Sequence, residues 1–154
     1  MIKKLCLCLI TLSLLAISII YENKPPKLNK VDLPPISYEQ TTVVLPLDGR
    51  PPCTKFVSDL GLLASVKVIL PPNELLGNYT EPAQRTILVN WLTDNIKNAD
   101  GAIISSDLLI HGGLVGSRIP VGTFDDENGF LDYLETLHKD NPAKSLNVYS
   151  IIPR

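Results

Sequence analysis

Thr41-Thr42-Val43-Val44-Leu45-Pro46-Leu47-Asp48-Gly49-Arg50-Pro51-Pro52 is the stretch on which the fold of this chain turns. Val43–Leu47 is a short β-branched run, interrupted near its end by Pro46, and the polar and proline residues from Asp48 to Pro52 force a loop. Thr54 is placed to cap a helix over 55–64, in which Phe56, Leu60 and Leu63 fall on one face at helical spacing. Val66–Leu70 is a second apolar strand, stopped by Pro71-Pro72.

The pattern repeats downstream. Thr80 is placed to cap another helix, with Glu81 near its positive end and Pro82 tolerated in its first turn. The apolar face of that helix is Ile87, Leu88, Trp91, Leu92 and Ile96. Gly101–Ser105 reads as a third strand. A glycine-containing stretch and a helix around Asn128–His138 follow, the latter with Phe130, Leu131, Leu134 and Leu137 apolar. Leu146–Ile152 reads as a fourth strand. Strands alternating with helices predict an α/β fold, and near-continuous apolar strands predict a sheet covered on both faces. The expected architecture is an open, mainly parallel four-stranded sheet with helices on both faces, a Rossmann-like or flavodoxin-like half. Its expected strand order is 2-1-3-4, reversing between the first and third strands.

Upstream, Met1-Ile2-Lys3-Lys4 is a short basic start and Leu5–Ile20 is an uncharged apolar run, the layout of an export signal. Residues 1–21 are therefore read as a signal peptide or signal anchor, with the membrane engaged through residues 5–20. Those sixteen residues fall short of the roughly 20 of a full span, a deficit that snorkelling flanks accommodate. Ala16-Ile17-Ser18 resembles a cleavage site, but bulky Ile19, Ile20 and Tyr21 follow it, so an uncleaved anchor is favoured over secretion after cleavage near Ser18. Lys24, Lys27 and Lys30 run against the positive-inside tendency; the four-residue leader still argues for a domain outside the cytoplasm. Residues 22–40, with Pro25, Pro26, Pro34 and Pro35, form an extended spacer. Residues 41–154 form the N-terminal α/β domain. Because the chain stops at Pro153-Arg154 just after a strand, the expectation is a truncated and marginally stable product that lacks a C-terminal part.

Charge and cysteine content exclude several functions. Of 14 basic residues, Lys3 and Lys4 lie in the leader, leaving 12 against 16 acidic ones, or −4, with no basic cluster that would suit nucleic acid. Cys6 and Cys8 lie inside the apolar run, so Cys53 has no partner for a disulfide in an exported domain; it reads as a half-buried small side chain. The positions of Cys6 and Cys8 also argue against a lipoprotein.

In open α/β sheets ligands bind beyond the carboxyl ends of the strands, and unusual residues collect there in this sequence. Asp48 and Arg50 follow the first strand; Ser105, Ser106, Asp107, His111, Gly112, Gly113, Ser117 and Arg118 follow the third. Asp48 and Asp107 are candidates for acid–base or metal work, and a divalent metal is compatible with them. Arg50 and Arg118 are candidates for a two-pronged clamp on a carboxylate or phosphate. Gly112, Gly113 and Gly116 permit close approach, with N–H groups open to an anion. Each has a plainer alternative: Asp48 pairing with Arg50 in its own turn, Asp107 capping the segment after it, and His111 merely packing. The glycines match neither nucleotide-binding pattern, so a nucleotide cofactor is not expected. His-Gly-Gly is like an esterase oxyanion loop, but the sequence holds no G-x-S-x-G elbow. Asn78-Tyr79-Thr80 spells a glycosylation sequon, yet serves more naturally as a loop end and helix cap.

Four ordered motifs carry a resemblance: LPLDGRPPC, LPPNELLGNYTEP, the Trp91-Leu92 helix and SSDLLIHGGLVGSRIP. Over roughly residues 42–154 the chain resembles the start of the bacterial family known as domain of unknown function 4127. The resemblance implies a longer protein and no established activity. In that family the first motif more often reads Leu-Asp-Asp/Glu-Arg-Pro, so Gly49 removes one carboxylate, and His111 stands where an aromatic residue is common. The expected function is an extracytoplasmic, membrane-attached hydrolase acting on an anionic or carbohydrate-like envelope substrate. The alternatives are a non-catalytic binding module and an inactive remnant.

Overall fold

The computed structural model describes residues 35–77, 81–115, 118 and 123–151. The expected leader, most of the spacer, Asn78–Thr80, Gly116, Ser117 and Arg154 lie outside the described residues. Contacts divide the chain into Met1–Pro35 and Ile36–Arg154, and the described elements all belong to the second unit. They are β1 (Gln40–Leu45), α1 (Lys55–Leu63), β2 (Val66–Ile69), α2 (Arg85–Asn95), β3 (Gly101–Ser105), α3 (Ser106–His111), α4 (Phe124–Asp140) and β4 (Ser145–Tyr149). Short 3-10 turns cover Asn73–Leu75 and Ile96–Asn98.

The four strands form one sheet in the order β2-β1-β3-β4, and every pairing is parallel. Strand order reverses between β1 and β3, as the sequence predicts. β1 ends at Leu45, one residue before Pro46, whose ring nitrogen has no hydrogen to donate to the ladder. It begins three residues earlier than its apolar run, because Gln40 and Thr41 still pair with Val66 and Lys67.

Side-chain alternation gives the two faces different cover. Val43, Leu45, Ala102 and Ile104 share one face, and they join Leu88, Leu92 and Ile96 of the α2 segment and Phe130 and Leu137 of α4 in one buried core. The other face carries Val44, Ile103 and Val68, as the register requires. There α1 lies against β2: a Cβ on Gly61 would stand 2.4 Å from a Val68 methyl and 2.9 Å from the Val66 carbonyl oxygen. Only glycine allows this approach. Helices thus flank both faces, unequally. Ile103 and Tyr149, on the α1 side, remain partly open.

Three apolar expectations are corrected. The Phe56, Leu60 and Leu63 stripe points away from the sheet, with 55, 65 and 83% of each residue exposed. Gly61 wins the inward position because it sits more than a quarter turn from that stripe and lets the backbone approach β2. Ile87 and Leu131 are also exposed, their helices being rotated to bury Leu88 with Leu92 and Phe130 with Leu137. Helix boundaries shift as well. Thr54 occupies the position before α1 without a side-chain cap, its hydroxyl donating to the Arg50 carbonyl at 3.1 Å instead. α2 starts at Arg85, later than expected. α4 starts at Phe124, four residues before the expected Asn128, because Thr123 and Asp126 form a reciprocal capping box.

Candidate functional site at the carboxyl edge

All four strands being parallel, their carboxyl ends meet at one edge. Beyond β1, Asp48 curls back on its own loop. Its Oδ1 accepts the Arg50 backbone N–H at 3.0 Å, and its Oδ2 accepts Arg50 Nε at 2.9 Å and pairs with Nη2 at 2.7 Å. One carboxylate oxygen thus takes both guanidinium contacts while the other takes the backbone N–H, a charge-assisted set that fixes the Arg50 side chain in the loop. Cys53, in the same loop, stands close enough for its thiol and the Asp48 carboxylate to perturb one another. Burial pushes the Asp48 carboxyl up, but the Arg50 side chain and N–H, the Arg50 charge and the thiol together hold it below its ordinary value. Burial, and next the Asp48 charge, push the Cys53 thiol up, so it stays protonated. The half-buried reading of Cys53 is right about its exposure.

Beyond β3, Ser105 rather than Asp107 caps α3, its Oγ accepting the Leu108 N–H at 3.3 Å. The buried Asp107 sits in the first turn and reaches across to β4, where its Oδ2 accepts the Ile151 N–H at 2.9 Å. Ser106 Oγ donates to the Tyr149 carbonyl at 3.1 Å, a second bond from the β3 end to the β4 end. Burial raises the Tyr149 hydroxyl above its ordinary value.

Gly112 adopts φ 79° at the end of α3, where its N–H bonds the Leu108 carbonyl at 3.0 Å while Gly113 N–H bonds the Asp107 carbonyl at 3.1 Å. This is a glycine helix cap that satisfies the last carbonyls. Both N–H groups are thereby occupied, contrary to the expectation that they lie open to an anion. The close approach is real: a Cβ on Gly113 would lie 3.2 Å from the Leu47 carbonyl oxygen and 4.0 Å from Asp48 Cβ, so the glycines bring the end of α3 against the β1 loop. Arg118 is exposed, and its side chain makes no hydrogen bond or ion pair among the described residues. His111 has its Nδ1 buried without a hydrogen-bond partner. Among the described residues no three His, Cys, Asp or Glu side chains are arranged to hold a metal ion.

The edge therefore gathers Asp48, Arg50, Asp107, Gly112 and Gly113, and adds Cys53, Ser105 and Tyr149. Tyr149 could have been found from the sequence, as it sits where the fourth strand reaches the carboxyl edge. The nearness of Cys53 to Asp48 could not, since it depends on how the loop between Arg50 and Thr54 closes.

The profile of the family described as "Protein of unknown function (DUF4127)" matches residues 42–154. The chain belongs to this family. The match begins within β1 and takes in every helix and strand after it, so the carboxyl edge of this DUF4127 domain lies wholly inside the matched region. No curated protein and no solved structure matches the chain.

Proposed function

We propose that this DUF4127 domain is an extracytoplasmic, membrane-attached binding domain whose carboxyl edge receives the anionic group of a small, carbohydrate-like envelope ligand. The observation that carries this reading is the Asp48–Arg50 pair. Asp48, mostly buried, holds the guanidinium by its Nε side at the mouth of the edge, while the Arg50 side chain stays 43% exposed. A guanidinium fixed this way is preorganised, so little side-chain entropy is lost when an anion docks. Attachment rests on the sequence, with Leu5–Ile20 as tether and residues 22–40 as spacer. No helix among the described residues is long and apolar enough to cross a membrane.

Binding is favoured over hydrolysis because Asp48 is held ionised by Arg50, and a carboxylate stabilised in that way is a weak proton acceptor. Calorimetric titration with inorganic phosphate and glucuronate tests the reading. Arg50→Gln should abolish binding, whereas Lys139→Gln, on the outer surface of α4, should leave it intact. Equal binding by both variants sinks the proposal. Turnover of nitrophenyl glycosides or nitrophenyl phosphate that disappears in Asp48→Asn would replace it with the hydrolase reading. Membrane attachment is tested separately: detergent, and not high salt, should release the protein from membranes, and recovery of intact chain in the soluble cytosol would refute it.

A further inference from the structure

The outward apolar stripe of α1 has a neighbour that indicates what it meets. Phe56, Leu60 and Leu63 recur at i, i+4 and i+7, so they fall within one narrow arc of the helix. Glu39 N–H donates to the Ser65 carbonyl at 2.8 Å, which pins the incoming chain beside the C-terminal end of α1, where exposure of the stripe is greatest. Two residues of that incoming chain, Ile36 and Tyr38, are themselves exposed apolar side chains. The domain thus presents its apolar surface where the chain arrives from the apolar run Leu5–Ile20.

We propose that α1, together with Ile36 and Tyr38, is a lipid-docking face that lies in the bilayer interface. The inference rests on the membrane attachment proposed above. The 15 residues between Ile20 and Ile36 reach at most roughly 45–50 Å at ~3.1 Å per residue, which keeps α1 within range of the bilayer. A tether of that length gives an effective concentration on the order of millimolar, so a contact too weak to recruit a free domain suffices for a tethered one. Leucine and phenylalanine suit the acyl boundary, and tyrosine suits the headgroup level. The face is close to neutral: Lys55 and Asp59 of α1 pair with each other at 2.7 Å. Docking should therefore proceed on zwitterionic lipid and gain little from anionic lipid, unlike a polybasic contact.

The test uses the full chain in phosphatidylcholine nanodiscs. In a Trp91→Phe background, a single tryptophan replaces Leu60 on α1 or Leu131, an exposed leucine of α4. Lipid brominated on its acyl chains should quench the Leu60→Trp emission and leave Leu131→Trp unchanged. In the unmodified chain, amide hydrogen exchange of α1 should slow on nanodisc incorporation, a readout that needs no substitution. A chain that incorporates while Leu60→Trp stays unquenched, or is quenched no more than Leu131→Trp, overturns the docking face and leaves attachment standing. A chain that does not co-elute with nanodiscs overturns both. Quenching that appears only with phosphatidylglycerol present also counts against the proposal, because it would assign the contact to charge.

Discussion

Replacing Lys144 by methionine should cost this domain more stability than any other single charge removal on its surface. The Lys144 ammonium donates to three carbonyl oxygens, Ile96 at 2.6 Å, Lys97 at 2.8 Å and Ala99 at 2.6 Å. These carbonyls end the α2 segment, where, among the described residues, only that of Ile96 also accepts a turn N–H, from Ala99 at 3.1 Å, and the helix dipole favours a cation. Lys144 itself directly precedes β4, so one ammonium ties the end of α2 to the start of the last strand. A hydrogen bond to a charged group contributes about 1.5–3 kcal/mol when water is excluded. Three bonds to one ammonium do not add, and Lys144 is half-buried, so water can serve part of what methionine leaves unpaired. About 2 kcal/mol is the expected loss. Methionine keeps most of the apolar stem, which isolates the charge. At about 4 °C per kcal/mol for a domain of this size, melting followed by far-UV circular dichroism should fall by roughly 8 °C. Lys139→Met is the control: its pair with Glu135 is exposed on both sides and should be worth less than about 0.5 kcal/mol. If the two variants melt within about 1 °C of each other, the three-carbonyl cap contributes nothing and the reasoning is wrong.

Other outcomes follow from the same structure. Gly61→Ala should destabilise by about 1–3 kcal/mol despite the helix-propensity gain, because the new Cβ would meet Val68 at 2.4 Å; a more stable variant in urea titration would contradict the packing of α1 on β2. Asp107→Ala strands the Ile151 N–H and should cost about 1.5–3 kcal/mol, with Asp107→Asn losing less because its carbonyl oxygen can still accept; equal losses would deny the bond its role. The folded Asp48 carboxyl lies below its ordinary value of 3.8, so the stability it contributes is present above that pH and lost as pH falls through the folded value. Asp48→Asn should therefore flatten the acid limb of a stability–pH profile below about pH 4 and leave its shape near neutrality unchanged. Leu63→Ser should be nearly silent in solution, whereas Leu88→Ala should cost about 2–5 kcal/mol, the reverse of what equal apolar periodicity in the two helices would suggest.

The strand–helix alternation, the parallel pairing and the strand order were legible in the amino-acid sequence because they rest on local signals. Val43–Leu45 and Ala102–Ile104 are near-continuous apolar runs, the pattern of strands with helices on both sides, and the proline and glycine stretches between the elements leave few alternatives. The edge that collects Asp48, Arg50 and Asp107 follows from the same signals, since parallel strands put all their exits on one side. Which way a helix turns was not legible. Phe56, Leu60 and Leu63 have the spacing of a core face, but the burial of α1 is decided by how closely its backbone can approach β2, and Gly61 allows more contact than any leucine there. Nor did sequence reveal that the Gly112 and Gly113 N–H groups close off α3, that Asp107 is occupied by Ile151, or that Lys144 caps a helix some 45 residues upstream. Those partners come together only through the crossovers that set β3 beside β4. Sequence periodicity determines that a surface is apolar; the competition among surfaces for the same sheet, resolved by volume and hydrogen-bond satisfaction, decides which of them is buried.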